Sequence, residues 1–304
     1  MASSGSRTVI YAALIGNALI SVTKLVAASI TGSSAMLSEG IHSIVDTGNQ
    51  GLLLLGLHRG KRKSDPNHPF GFGKEVYFWS FIVAILIFAV GAGVSIYEGI
   101  HHLQHPVAIH NPNINYIVLG LAFIFEAVPW TVAVKEFNKT RRGLSMIQAV
   151  RRSKDPSTFV VLFEDSAALL GIVVAFVGIL LGQLTGALWL DGAASVVIGL
   201  ILAGTAWVLA IETKDLLIGE SARPEVVEGI RAMAQETGGI LSVNEVLTLH
   251  MGPEFILVNL SVDFSDKLTA AEVEKAAVRM TARIKREWPR VKKVFIEAED
   301  RIPS

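Results

Sequence analysis

Cysteine is absent from the 304 residues. Disulfides and thiolate metal sites are excluded with it, and cysteine usage says nothing about the redox compartment. Net charge is absent as well. Lys and Arg number 27, and so do Asp and Glu, so charge points to neither nucleic acid nor a strongly anionic partner. Charge of either sign is scarce at 18%, whereas 51% of the residues are hydrophobic. That balance is too apolar for an ordinary soluble domain. The apolar residues come in long blocks, which points to a membrane protein. No HExxH pair and no nucleophile–base constellation stands out, so the chain reads as a non-enzyme without a cofactor.

Six segments are apolar enough to span a bilayer, at about 20 residues each. They fall near 8–31, 35–57, 76–103, 114–135, 157–182 and 187–212. The short polar start leads straight into the first of them, which is expected to be a membrane helix and not a cleaved signal. Basic residues are missing between Lys24 and Arg59, from Glu75 to Val134, and between Lys154 and Lys214. They cluster instead at Arg59, Lys61, Arg62, Lys63 and Lys74, and again from Lys135 to Lys154. Basic loops stay on the cytoplasmic side. Loops 58–75 and 136–156 and both termini are therefore expected to face the cytoplasm.

After Glu212 the pattern changes. Val226, Val227, Ile230 and Met233 recur at helical spacing, and Ile256, Val258, Leu260, Val262 and Phe264 alternate as one face of a strand. A helix capped by Thr269 and a last strand follow. The expected fold is thus an α-helical membrane protein with six transmembrane helices (1–212), plus a small cytoplasmic α+β domain (213–304). The αββαβ order of that domain suggests a ferredoxin-like, metallochaperone-like unit with two helices on one face of a three-stranded sheet.

Lys24, Glu39, His42, Asp46, Glu126, Glu164 and Asp165 all fall within these spans. A carboxylate at the bilayer centre costs about 2.5–3.5 kcal/mol on insertion scales, so such residues mark ion pathways, proton relays or internal ion pairs. His42 and Asp46 stand four apart and share a helix face. Imidazole plus carboxylate suits a divalent first-row metal. A second helix must complete such a site, and the fifth span offers Glu164 and Asp165. At about 1.5 Å per residue, Asp46 lies roughly 17 Å below the outer surface and Asp165 roughly 12 Å above the inner one. In a core of about 30 Å those depths nearly coincide. Other roles compete. His42 can hydrogen-bond between helices, Asp46 or Glu39 can pair with Lys24, and Glu126 can serve backbone groups loosened by Pro129. Glu98 and Asp191 are expected at the outer interface, and Asn17 and Ser43 in packing. Glu164 and Asp165 point about 100° apart, so one of them faces the site.

The stretches GSSAMLSEGIHSIVDTGNQ, DPNHPFGFGK, SIYEGIHHL, FEDSAALLG and LDGAASVVIGL, in this order, resemble the cation diffusion facilitator family. The resemblance covers nearly the whole chain. It implies a homodimeric exporter of divalent metal, usually zinc, driven by proton antiport and alternating access. It implies metal ligands at i, i+4 on the second and fifth spans. His42 and Asp46 match the first pair and Asp165 the later member of the second. The earlier member falls on Val161, which cannot bind metal, so Glu164, Glu126, Glu39 or a water is left for the fourth position, with Glu164 the first choice. The fifth-span pattern is similar to the mitochondrial zinc-transporter-like branch. Asp65 and His68 match an accessory loop site, although Phe72 stands where some members carry a second histidine. In the cytoplasmic domain, Asn244, Asn259, Glu297 and Glu299 occupy the positions of a binuclear site. There His250, Glu297 and Glu299 are left as weak ligands, and dimerisation is the expected role. The resemblance implies metal, protons, lipid and a second copy as partners. A chain with no long histidine-rich loop fits a bacterial inner membrane, with an organelle membrane as the alternative.

Overall fold

The computed structural model describes the backbone of residues 4–141 and 143–300, and the side chains from residue 17 onward apart from a few between 136 and 151. Its helices are α1 (Ser4–Thr31), α2 (Ser34–Gly60), α3 (Glu75–Leu86), α4 (Gly93–Gln104), α5 (Pro112–Arg141), α6 (Met146–Arg152), α7 (Pro156–Thr185), α8 (Trp189–Ile218), α9 (Pro224–Gln235) and α10 (Ala270–Glu287). The strands are β1 (Ile240–Gly252), β2 (Phe255–Phe264) and β3 (Val291–Ala298). A π-helical segment, Ile87–Ala92, joins α3 to α4, so the two form one continuous rod. The chain divides into two compact units, residues 1–56 with 78–213, and residues 57–77 with 214–304.

The first unit is helical and turns apolar side chains outward. On α1, Leu19, Val22, Val26 and Ile30 are exposed, while Ser21, Lys24, Ala27, Ala28 and Thr31 are buried. On α5 the exposed set is Ile117, Leu121, Ile124, Phe125, Val128 and Val132. In water each Å² of that surface would cost about 25 cal/mol; against lipid it costs nothing. Glu75–Gln104, Pro112–Lys135, Pro156–Thr185 and Trp189–Ile218 are long and apolar enough to cross a membrane. The sequence suggests six spans; these four qualify among the described residues. Helix α2 does not, because His42, Asp46, Asn49 and Gln50 dilute its apolar character. Of α1, the described residues contribute the shorter apolar stretch Asn17–Thr31.

Local chemistry sets the helix ends. Asp155 caps α7 by accepting from the Ser157 N–H at 3.1 Å, with Pro156 in the first turn. Gly186 closes α7 with φ of 72°, a conformation that favours glycine. Helices α4 and α8 approach closely through glycines. A methyl group on Gly99 would fall 2.7 Å from the Val196 backbone nitrogen and 2.8 Å from the Gly192 carbonyl oxygen. Small residues let membrane helices pack backbone to backbone in this way.

The second unit has the order α9–β1–β2–α10–β3. Its sheet runs β1-β2-β3, with β1 antiparallel to β2 and β2 parallel to β3. Ile256, Val258, Leu260 and Val262 line one face of β2 and pack with Ile230, Ala234, Met280 and Ile284 of the two helices. Segment 57–77 joins this unit because its backbone meets the β1–β2 turn. A Cβ on Gly73 would lie 2.4 Å from the Met251 carbonyl oxygen.

Candidate functional site

Helix α2 presents polar residues along adjoining lines. Glu39 and Ser43 form one, and His42, Asp46 and Asn49 form the other at i, i+4 and i+7. The first line meets Lys24 of α1. The Lys24 Nζ donates to Glu39 Oε2 at 3.1 Å and to Ser43 Oγ at 2.8 Å, and lies 3.8 Å from Glu126 Oε1 on α5. Lys24 and Glu39 are fully buried. Of the two carboxylates expected to compete for Lys24, Glu39 is the one that holds it. Glu126 turns to the ammonium and not to the backbone loosened near Pro129.

Several polar atoms of the second line lack a hydrogen-bond partner. His42 Nδ1 lies 3.3 Å from Asp46 Oδ1, but the two are not aligned as a hydrogen bond. Both His42 ring nitrogens, Asp46 Oδ1 and Asn49 Oδ1 are buried without a hydrogen-bond partner. From α7, Asp165 Oδ2 is buried and unpartnered too. An unsatisfied buried polar atom costs about 1–3 kcal/mol, and more if charged. Asn49 Nδ2 donates to Glu164 Oε1 at 2.7 Å and so ties α2 to α7. The charges of Glu164, Glu126 and Asp165 all act on Asp46, with Lys24 opposing them. Trp130 of α5 steadies this stretch of α7 by donating from Nε1 to Ser166 Oγ at 2.9 Å.

The structure therefore brings His42 against Asp46 and carries Glu164 and Asp165 into the same electrostatic cluster. It does not draw His42, Asp46 and Asp165 into a closed triad with ligand atoms within 4.8 Å of one another. Asn49 is a member that charge alone does not flag. Its i+7 spacing from His42 is the signal that finds it.

Asp191 is held between two helices. It is buried, and its carboxylate accepts from Ser34 N–H at 2.6 Å, Ser34 Oγ at 2.9 Å and Ser33 Oγ at 2.6 Å. A residue of α8 thus supplies an anion to the first turn of α2, where the helix dipole favours one. Ser195 extends the link. It contacts Ser38 Oγ at 2.5 Å and donates to the Ser95 carbonyl at 2.8 Å.

The accessory residues part company. Asp65 and His68 do meet, with Oδ1 to Nδ1 at 3.1 Å. Asp65 Oδ1 also accepts from the Asn67 and His68 N–H groups, so the pair closes a tight turn, with the His68 ring against Phe72. His250, Glu297 and Glu299 are not brought together. His250 pairs in register with Ile256, on the core face of the sheet, and is buried. Glu297 pairs with Ser261, whose odd position in β2 puts it on the opposite face. Glu299 binds Ser261 Oγ on that same side, at 2.8 Å. A single ion cannot reach both faces.

Comparison with known proteins now bears on these two helices and their neighbours. The model of the cation efflux transmembrane domain matches residues 10–218. The chain belongs to the cation efflux family. Among its relatives is the proton-coupled zinc antiporter SLC30A9, mitochondrial, of Xenopus laevis, 36% identical over 278 residues, which are 90% of this chain and 50% of that protein. The Homo sapiens protein of the same name is 34% identical over 89% of this chain and 48% of its own length. The manganese efflux system protein MneP of Bacillus subtilis is 22% identical over 96% of this chain and 95% of its own. The chain spans about half the length of the two vertebrate relatives. As a cation efflux family member with four apolar spans among the described residues, it is an integral membrane protein.

Proposed function

We propose that this chain exports divalent metal cations, zinc first, from the cytoplasm in exchange for protons. The carrying observation is the set of buried, unpartnered atoms on His42, Asp46 and Asp165. They lie on two helices of a cation efflux domain. The vertebrate relatives, named proton-coupled zinc antiporters, support the same reading. In it, His42, Asp46 and Asp165 bind the ion, and Glu164 is the fourth ligand once its oxygen swings from Asn49. One imidazole among carboxylates favours zinc over manganese, whose sites lean to oxygen donors.

Metal binding requires neutral imidazole and ionised carboxylates, so the ion displaces protons. On the outer side protons return and expel it. Coupling follows from that competition. Lys24 offsets the charge of Glu39 and stands 3.8 Å from Glu126, so the repulsion between neighbouring carboxylates is reduced when the ion has left. The proposal carries six membrane helices over residues 1–212, a sheet domain over 213–304 that pairs two copies, and both termini on the cytoplasmic side. Leu247 and Phe295 support the pairing. They flank Asn259 on the sheet face away from the helices, and both are exposed. The vertebrate relatives, 34–36% identical and named mitochondrial, favour an organelle membrane over the bacterial inner membrane that the short loops suggest.

The test is flux. Purified protein in vesicles with a metal-sensitive dye should take up zinc when a proton gradient opposes it, at rates that scale with the gradient. Zinc uptake indifferent to the gradient removes the antiport. In a panel of zinc, manganese, cobalt, iron and cadmium, manganese transported faster than zinc would reassign the substrate.

A further inference from the structure

We infer that the end of α4 carries a second divalent-metal site, made by Glu98, His101 and His102. These residues stand at i, i+3 and i+4, the spacing that gathers side chains on one face of a helix. One ligand atom from each lies within 4.8 Å of the other two. Among the described residues no other set of three histidines and carboxylates converges this closely. Two imidazoles and a carboxylate are the donors that zinc and its first-row neighbours take.

Two further observations point to an ion. His102 Nδ1 is shielded from solvent and has no hydrogen-bond partner. Ordinary surface histidines keep such nitrogens wet. His101 and His102 also occupy the last turn of α4, where the carbonyl ends of a helix favour a cation. Access is open, since His101 is exposed and Glu98 and His102 are half-buried. The backbone beneath is held firmly. Gly99 and Gly192 pack α4 against α8 with no room for a Cβ, and the His102 Cβ is itself part of that contact. The His101 ring is flanked by His105, at 5.3 Å between centroids, and by Tyr97, at 6.5 Å.

This turn leads into a loop free of Lys and Arg, the side opposite the basic loops. The site shares no residue with the His42–Asp46 cluster. An ion leaving the membrane would meet it there before reaching bulk solvent, so it would act as a release-side acceptor.

The test uses the full chain, purified in detergent, carrying Asp46→Ala and Asp165→Ala to remove the mid-membrane ligands. Zinc is titrated by calorimetry and by equilibrium dialysis. One zinc should still bind per chain. His101→Gln with His102→Gln, and separately Glu98→Gln, should each weaken it at least tenfold, while His58→Gln leaves it unchanged. Cobalt in place of zinc should give visible absorption bands that the histidine variants abolish. Affinity within threefold of the parent in the histidine variants overturns the site, as does a parent that binds no zinc. If the parent fails to fold, the same variants in the wild-type chain should lose one zinc of the total, and an unchanged total overturns the site. Flux in vesicles judges the transport reading separately.

Discussion

Lys24 places an ammonium among carboxylates where no water can screen it. Removing one partner of a buried ion pair costs about 3–5 kcal/mol, because the other charge is stranded. Lys24→Met should therefore lower the thermal unfolding midpoint in detergent sharply. Adding Glu39→Gln should recover most of the loss. Equal midpoints for the single and double variants would show that the pair contributes nothing. His42 and Asp46 were legible in the sequence because an i, i+4 spacing within an apolar run has few uses. Lys24 was legible as a partner, but not which carboxylate it would choose; that depends on how α1 lies against α2. Asn49 was missed because an amide carries no charge to betray it. The partners of Asp191 were hidden because Ser33 and Ser34 are 158 and 157 positions away. Only the packing of α8 on α2 reveals that it is a buried cap.

At the level of elements, helix existence and order were readable from hydropathy, and the αββαβ order from periodicity. The π-helical turn at Ile87–Ala92 was not readable, since apolar residues on both sides give no local signal. Nor was the closeness of α4 to α8. Gly99, Gly192 and Gly199 look alike in sequence to the open Gly48 and Gly120, whose Cβ positions meet nothing within 4 Å. Gly99→Ala should force the helices apart and cost about 1–3 kcal/mol, as overpacking does. Gly120→Ala should cost nothing measurable, and equal melting of the two variants would contradict the close approach. In the sheet domain, Glu272 Oε2 accepts from the Thr269 N–H and hydroxyl, both at 2.8 Å. The hydrogen bond from the Thr269 N–H holds its carboxyl below the ordinary value of 4.5. A depressed folded value stabilises the domain above the unfolded pKa, and that contribution is lost as pH falls through the folded one. Glu272→Gln keeps a capping side chain but removes the titration. Its melting temperature should fall less than that of the parent between pH 5 and pH 3, windows set by about the unfolded carboxylate value. Parallel declines would refute the assignment.

For the whole molecule, one arrangement joins the parts. Apolar surfaces face lipid, and a polar seam of α2 and α7 runs inside them. The unpartnered atoms of His42, Asp46 and Asp165 lie in that seam, and these are the atoms the proposed export assigns to the ion. A helical membrane unit followed by a small sheet domain was legible because the bilayer punishes polar side chains and so makes each one informative. The spacing between His42, Asp46 and Asp165 was not legible, because it depends on how α2 lies against α7. The separation of His250 from Glu297 was likewise hidden, since strand register decides it. The most direct measurement is zinc uptake into vesicles under a fixed proton gradient, with Asp46→Asn and Asp165→Asn each compared with the parent at equal protein content. Both variants should remain folded and fall to about a hundredth of the parent rate or less, at least the upper end of the about 10–100-fold cost of losing a group that only orients a ligand. Uptake by both variants within twofold of the parent would contradict an ion held between α2 and α7.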